Sequence, residues 1–334
     1  MKFNKHLLDV ERKITNIHLK SSGRRLHMCE RTAPFPEEFF KEFMLNLTQD
    51  DFINYPDSNE LKQRIASRNG VSKENVFIGP GSDFVLSVLF NVFIEPETKA
   101  LMPEAHFPMY SVYLAQSQGT PLHLKYYLDD HSCLKLDIKS SPFLDDHNLQ
   151  LIVIGNPNSP VGDLIDLEDV ELLKSTGLPL VVDQAYSDFG KTDIPLEWVT
   201  NGNVILVNTF SKGYGGAGIR VGYCIANKEI IDIMNKLRLP FEVSGVSQKF
   251  AAFLMYRFAV HDKYVKEIIS ERTRLAAFIQ HVQYGNWIHI PEGFFYEFIN
   301  RHTVREHVYL PCIKRAFSRV TIFSGITDEL LKAV

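Results

Sequence analysis

Five short apolar runs, each followed by polar or turn residues, restrict what this chain can fold into more than any other feature. They are NVFIG from Asn75, ALMP from Ala100, LQLIVIG from Leu149, LPLVVD from Leu178 and NVILVNT from Asn203. A run that is apolar on both alternating faces is a strand covered on both sides, and such strands belong to parallel sheets. The segments between them read as helices. LKQRIASRNG is stopped by Gly70, GPGSD opens an apolar helix running to Ile94, and DLEDVELLKSTG starts acidic and ends at Gly177, the charge order and terminator a crossover helix requires. Strand and helix alternate, so the expected class is α/β, a three-layer α/β/α domain with a mostly parallel sheet.

After Lys228 the pattern is helical, with breaks at Pro240 and near His261. WIHIPEGFFYEF then reads as strand around Gly293, and SRVTIF as a last strand before a short terminal helix. Residues 1 to about 50 lack a clear apolar run. The expected division is an arm over 1–45 that joins a small domain, a large domain over 46–240, and a smaller α+β domain over 241–334.

With 36 Lys and Arg against 40 Asp and Glu, the chain has no basic excess for a phosphate backbone, and nucleic acid is not an expected partner. The most apolar stretch, Phe84 to Ile94, is too short for a bilayer. MKFNKHLLDVERKI lacks the features of a signal peptide, so a cytoplasmic location without a membrane partner is expected. The four cysteines, Cys29, Cys133, Cys224 and Cys312, have no metal-like spacing and are expected to be reduced structural thiols, with no metal site.

In an open parallel sheet, ligands sit beyond the carboxyl ends of the strands. Four of the runs end in polar loops there: Gly79 to Asp83, Gly155 to Pro160, Asp183 to Tyr186, and Thr209 to Lys212. Gly81 and Ser82 at a helix start can offer N–H groups to an anion, or serve only as a cap. The glycines of YGGAGIRVGY are not spaced as a dinucleotide loop. Lys212, on the loop ending a buried strand, can act as a nucleophile toward a carbonyl if desolvated, or be an ordinary exposed loop lysine.

The ordered set Asp183-Gln184-Ala185-Tyr186, Thr209-Phe210-Ser211-Lys212 and Ala217-Gly218-Ile219-Arg220-Val221-Gly222-Tyr223 resembles the signature of fold-type I pyridoxal-phosphate (PLP) aminotransferases. NPNSPVG and the earlier YPD and GSD are most similar to the histidinol-phosphate aminotransferase branch. The resemblance implies that Lys212 carries PLP as a Schiff base and moves the proton between the substrate Cα and the cofactor. It implies Asp183 facing the pyridine nitrogen and Tyr186 on the phenolic oxygen. The phosphate would be held by the N–H groups of Ser82 and Asp83, the hydroxyls of Thr209 and Ser211, and Arg220. Phe107 would stack on the ring, Arg319 would grip a substrate carboxylate or phosphate, and Tyr55 would reach the phosphate of a second subunit in a homodimer with shared sites.

Two positions depart from that pattern. Ser159 stands where the family has asparagine, and Val161 where it has threonine, so Ser159 would reach the phenolic oxygen through water or leave it to Tyr186. Arg31-Thr32-Ala33-Pro34 does not match the family's Asn-Glu before proline, and the C-terminal segment from Phe295 to Arg319 is short. The implied activity is transamination between an amino donor and a keto or phosphorylated acceptor. The alternatives are decarboxylation of an amino-acid phosphate on the same cradle and an idle PLP-binding protein, with NAD and P-loop enzymes last because neither fingerprint occurs.

Overall fold

The computed structural model describes His6, Val10, residues 28–129 and 134–279, the strands at 287–291, 306–310 and 315–321, and residues 322–323 and 325–331. Its first helix, α1 (Glu37–Leu45), follows Pro36 and buries Phe39 and Phe43, four residues apart on one face. This helix is a departure from the expectation of an arm without apolar pattern. Its apolar residues recur only once, too little to register as a run. A short helix α2 (Asp50–Ile53) precedes α3 (Asn59–Asn69), which ends where Gly70 takes a left-handed conformation, φ 67°, as the sequence indicates.

From there the alternation is close to that expected. In order come β1 (Val76–Gly79), α4 (Ser82–Phe93), β2 (Lys99–Pro103), α5 (Met109–Gln116), β3 (Thr120–Leu128), β4 (Leu134–Asp137) and β5 (Leu149–Gly155). These are followed by α6 (Leu167–Ser175), β6 (Leu180–Asp183), α7 (Leu196–Thr200), β7 (Val204–Thr209) and β8 (Gly222–Ile225). The eight strands form one sheet in the order β1-β8-β7-β6-β5-β2-β3-β4. Neighbours from β7 through β3 pair in parallel, whereas β8 runs antiparallel to both β7 and β1, and β4 antiparallel to β3.

Residue alternation divides the core into two layers. Ile78, Leu101, Ile152, Val182 and Leu206 face a cluster that includes Phe39 of α1, Ile65 of α3 and Val170 of α6. Phe77, Met102, Val153, Val181 and Ile205 face the opposite cluster, with Leu86 of α4, Tyr110 of α5 and, beyond β8, Met234 of α8 (Lys228–Leu237). The sheet is therefore the middle of three layers, as expected.

Beyond α8 lie α9 (Gly245–Tyr256) and α10 (Phe258–Ile279). The helical break falls at Arg257, and His261 lies inside α10 rather than at a break. Helix α9, on the C-terminal side of the expected boundary at 240, buries Phe250, Ala251 and Leu254 in the first cluster. A separate three-stranded antiparallel sheet has the order β10 (Glu306–Leu310), β11 (Arg315–Thr321), β9 (Trp287–Pro291). A third cluster joins Tyr264, Ile268 and Leu275 of α10 to Cys29, Phe323 and Ile326, the last opening a terminal helix, Ile326–Leu331. Cys29 and Cys224 are buried thiols; Cys133 and Cys312 lie outside the described residues.

Candidate active site

Strand direction brings the polar loops to one sheet edge. Gly155, the last residue of β5, pairs with Asp183, the last of β6. Gly222, the first residue of the reversed β8, pairs with Thr209, the last of β7, and with Gly79, the last of β1. A strand beginning where four others end places Arg220, two residues before it, beside their termini.

The α4 end of this edge is a cradle of donors. Gly81 occupies the cap position at φ 85° with no side-chain capping bond, which removes the reading of Ser82 as a plain cap. Helix geometry leaves the first N–H groups of α4, those of Ser82 and Asp83, without partners in the helix. The turn and β8 approach so closely that a Cβ on Gly222 would lie 2.2 Å from the Ser82 nitrogen, while Gly81 is held to glycine by its left-handed φ and lies against Arg220 Nη2. Arg220, itself left-handed at φ 52°, donates from Nη1 to Ser211 Oγ at 3.4 Å and to the Ala217 carbonyl at 3.1 Å, while Nη2 pairs with Asp83 at 3.3 Å. Thr209 Oγ1 accepts from the Ser211 N–H at 3.1 Å. Two helix N–H groups, two hydroxyls and a forked cation form a donor set that suits a phosphate dianion.

Beside the cradle, Asp183 is buried, accepting from Tyr110 OH at 2.8 Å and from the Ala185 N–H at 3.0 Å. Burial pushes its carboxyl up to about 6; the two hydrogen bonds and the charge of Lys212 oppose that rise. A buried carboxyl poised near neutrality is set to pair with a cationic ring nitrogen, which would return it to the ionised state. Tyr110 is a residue that sequence reasoning missed. It lies three positions after Phe107 in HFPMY, on the inner face of α5, and its contact with Asp183 spans 73 positions. Burial and Asp183 push its phenol well above the ordinary range, so it remains a donor.

Lys212 Nζ donates to the Met28 carbonyl at 2.9 Å and lies 5.3 Å from the centre of the Tyr186 ring. Phe107 meets Tyr110 edge-on at 5.7 Å. The loop holding Ser159 is fixed from behind: Asn158 Nδ2 donates to the Ala105 carbonyl at 2.7 Å and to Tyr126 OH at 2.6 Å, and Tyr126 OH donates to Asp163 at 3.1 Å. Burial raises the Asp163 carboxyl to about 7. A folded-state value above the unfolded one means stability that is present in acid and lost as pH rises through about 7. Asp163→Asn is accordingly expected to gain on the parent by about 2–4 kcal/mol between pH 4 and pH 8. Denaturant titrations at the two pH values check this; a constant difference would show that folding leaves the Asp163 carboxyl at its unfolded-state value.

One expected residue is not brought to the cradle of its own chain. Tyr55 is 82% exposed, its ring stacked 4.5 Å from Phe241. Arg319 sits in the middle strand of the small sheet, opposite Glu306 and His289; its side chain lies outside the described residues. Among the described residues no cluster of side chains could hold a metal ion, and no helix is long and apolar enough to cross a membrane.

Comparison with known proteins gives a consistent result. The family model for aminotransferase class I and II matches residues 30–334. The histidinol-phosphate aminotransferase of Thermoanaerobacter pseudethanolicus is 34% identical over 273 residues, covering 78% of this chain and 74% of that protein. The crystal structure of the Sinorhizobium meliloti histidinol-phosphate aminotransferase in complex with pyridoxal-5'-phosphate aligns with TM-score 0.78 at 22% identity, over 91% of this chain and 87% of that one. L-threonine-O-3-phosphate decarboxylase of Porphyromonas gingivalis shares the same fold, with TM-score 0.72 at 20% identity over 90% and 97% of the two chains.

Proposed function

The chain belongs to the class I and II aminotransferases, and from that premise we propose that it moves an amino group between a phosphorylated amino compound of the histidinol-phosphate kind and a keto acid. It is a PLP-dependent enzyme, and PLP supplies the electron sink that lets a bond at the substrate Cα break. The observation that carries the reading is the meeting, at one sheet edge, of a buried carboxyl, an amine and a donor cradle suited to phosphate.

In this proposal Ser82, Asp83, Thr209, Ser211 and Arg220 hold the cofactor phosphate. Asp183, oriented by Tyr110 and the Ala185 N–H, keeps a proton on the ring nitrogen. Tyr186 donates to the phenolic oxygen, with Ser159 nearby through water, and Phe107 covers the ring. Lys212 would hold the cofactor through its amine, and that amine would also move the proton between the substrate Cα and the cofactor. Arg319 is proposed as the anchor for the substrate anion. The division into 1–45, 46–240 and 241–334 belongs to the same proposal, with α9 packed across its second boundary, and so does a cytoplasmic location.

A homodimer with shared sites is proposed as well. A tyrosine as exposed as Tyr55, flanked by exposed Phe52 and Ile53 and stacked on exposed Phe241, is suited to reach the phosphate of a second subunit. Substrate class is tested by comparing kcat/KM for histidinol phosphate with that for unphosphorylated histidinol, 2-oxoglutarate being the acceptor. The expected preference is roughly a hundredfold or more for the phosphate. Equal rates would remove the phosphorylated substrate class, and CO2 release from an amino-acid phosphate without keto product would replace transamination by decarboxylation.

A further inference from the structure

The loop that follows Lys212 rests on a polar group that the reading above does not use. Asp188 lies in the 3-10 turn Ser187–Phe189, two residues after Tyr186. Its side chain is pressed against the backbone of Gly213, where a Cβ would fall 2.1 Å from Asp188 Oδ2 and 2.4 Å from Cγ. One carboxylate therefore touches the lysine loop while its own turn carries Tyr186.

On the far side of this carboxylate stands His261 of α10, buried, with Nε2 3.1 Å from Asp188 Oδ1. The contact is close but not aligned, since neither ring nitrogen makes a hydrogen bond. The ring lies between Tyr214, 4.3 Å away, and Phe258, 4.8 Å away. Burying an imidazole between aromatic rings is unfavourable unless a polar neighbour offsets it, and the neighbour here is Asp188. Helix α10 holds the same turn a second time, because Arg272 Nη1 donates to the Phe189 carbonyl at 2.7 Å.

The other groups facing Asp188 are Tyr214 on the lysine loop and Tyr223 on β8, whose phenols its charge helps to raise, with Arg68 of α3 opposing that effect in both. None of them substitutes for the contact with Gly213. We infer that Asp188 and His261 are positioning residues for Lys212: His261 fixes Asp188, and Asp188 sets the place and the electrostatic surroundings of the lysine loop from the C-terminal helix. The inference rests on Lys212 being the residue that binds the cofactor.

The test uses the PLP-loaded enzyme and two conservative variants. Asp188→Asn keeps the size and removes the charge; His261→Phe keeps the ring stack and removes the nitrogen facing Asp188. The first readout is borohydride reduction and peptide mapping of the parent, which must place the cofactor on Lys212. The second is the pH midpoint of the absorbance of the lysine-bound cofactor, with thermal unfolding followed in parallel.

Loss of a nearby negative charge disfavours the protonated nitrogen, so Asp188→Asn is expected to lower the midpoint by roughly half a pH unit or more. His261→Phe is expected to shift it in the same sense, and to add nothing in the Asp188→Asn background. Midpoints equal to the parent's in both folded single variants, an upward shift, or fully additive shifts would overturn the inference. A parent labelled at another lysine would instead overturn the assignment of Lys212 on which it stands.

Discussion

Replacing Lys212 by alanine abolishes the borohydride-reducible cofactor adduct and lowers amine transfer by about a thousandfold or more, with little change in thermal unfolding. Two roles are lost together: the covalent link and the base that moves the Cα proton. Stability is expected to hold because Lys212 is only partly buried and alanine keeps the backbone contacts of its loop. The change leaves the strand-end architecture, Gly213 against Asp188 included, in place. Intact-mass analysis after reduction and a single-turnover assay check both parts. An adduct that persists in the folded variant would assign the chemistry to a different lysine.

Asp183→Asn is expected to move activity and stability in opposite directions. In the cofactor-free protein the Asp183 carboxyl sits at about 6 because burial opposes its charge. A value raised above the unfolded one gives stability that is complete in acid and lost as pH rises through about 6. Asparagine does not titrate, so the cofactor-free variant should gain about 3 kcal/mol on the parent between pH 4 and pH 8. Transamination should fall by roughly a hundredfold or more, because an amide cannot hold the proton on the ring nitrogen. Urea unfolding at the two pH values and kcat with saturating PLP check the pair. A variant that is destabilised at pH 8 and as active as the parent would remove Asp183 from the proposed site.

The middle of the eight-stranded sheet was legible because fully buried parallel strands write themselves as apolar runs. β5, β6 and β7 are apolar almost to their ends, and each leads into a loop of the candidate site. β3 was not legible, because TPLHLKYYL alternates between buried and exposed positions and resembles a loop with scattered apolar residues. The reversed direction of β8 leaves no trace in its composition. It goes with a close approach of Gly222 to Ser82, 140 positions away in the chain. That reversal is what brings Arg220 to the cradle.

Within the candidate site, Ser82, Asp83, Asp183, Thr209, Ser211 and Lys212 lie at or just after strand ends, where local order in the sequence is enough to place them. Tyr110 and His261 were missed for a common reason. Each is an aromatic or imidazole side chain on a helix, with the pattern of a core residue, and each acquires its meaning from a carboxylate 73 positions away. Asp188 follows the recognised Tyr186 by two residues, yet its importance lies in the missing Cβ of Gly213. Tyr55 shows the opposite limit, since its proposed partner lies on another subunit.

The most direct measurement follows the nitrogen itself. Enzyme loaded with PLP is given histidinol phosphate carrying a heavy-nitrogen amino group together with 2-oxoglutarate, and glutamate is analysed by mass. Heavy glutamate formed in equal amount to the donor consumed, with no CO2 and with none of it formed by Lys212→Ala, is the predicted result. Donor consumed without labelled glutamate, or labelled glutamate formed at the parent's rate by Lys212→Ala, would contradict amine transfer at this site.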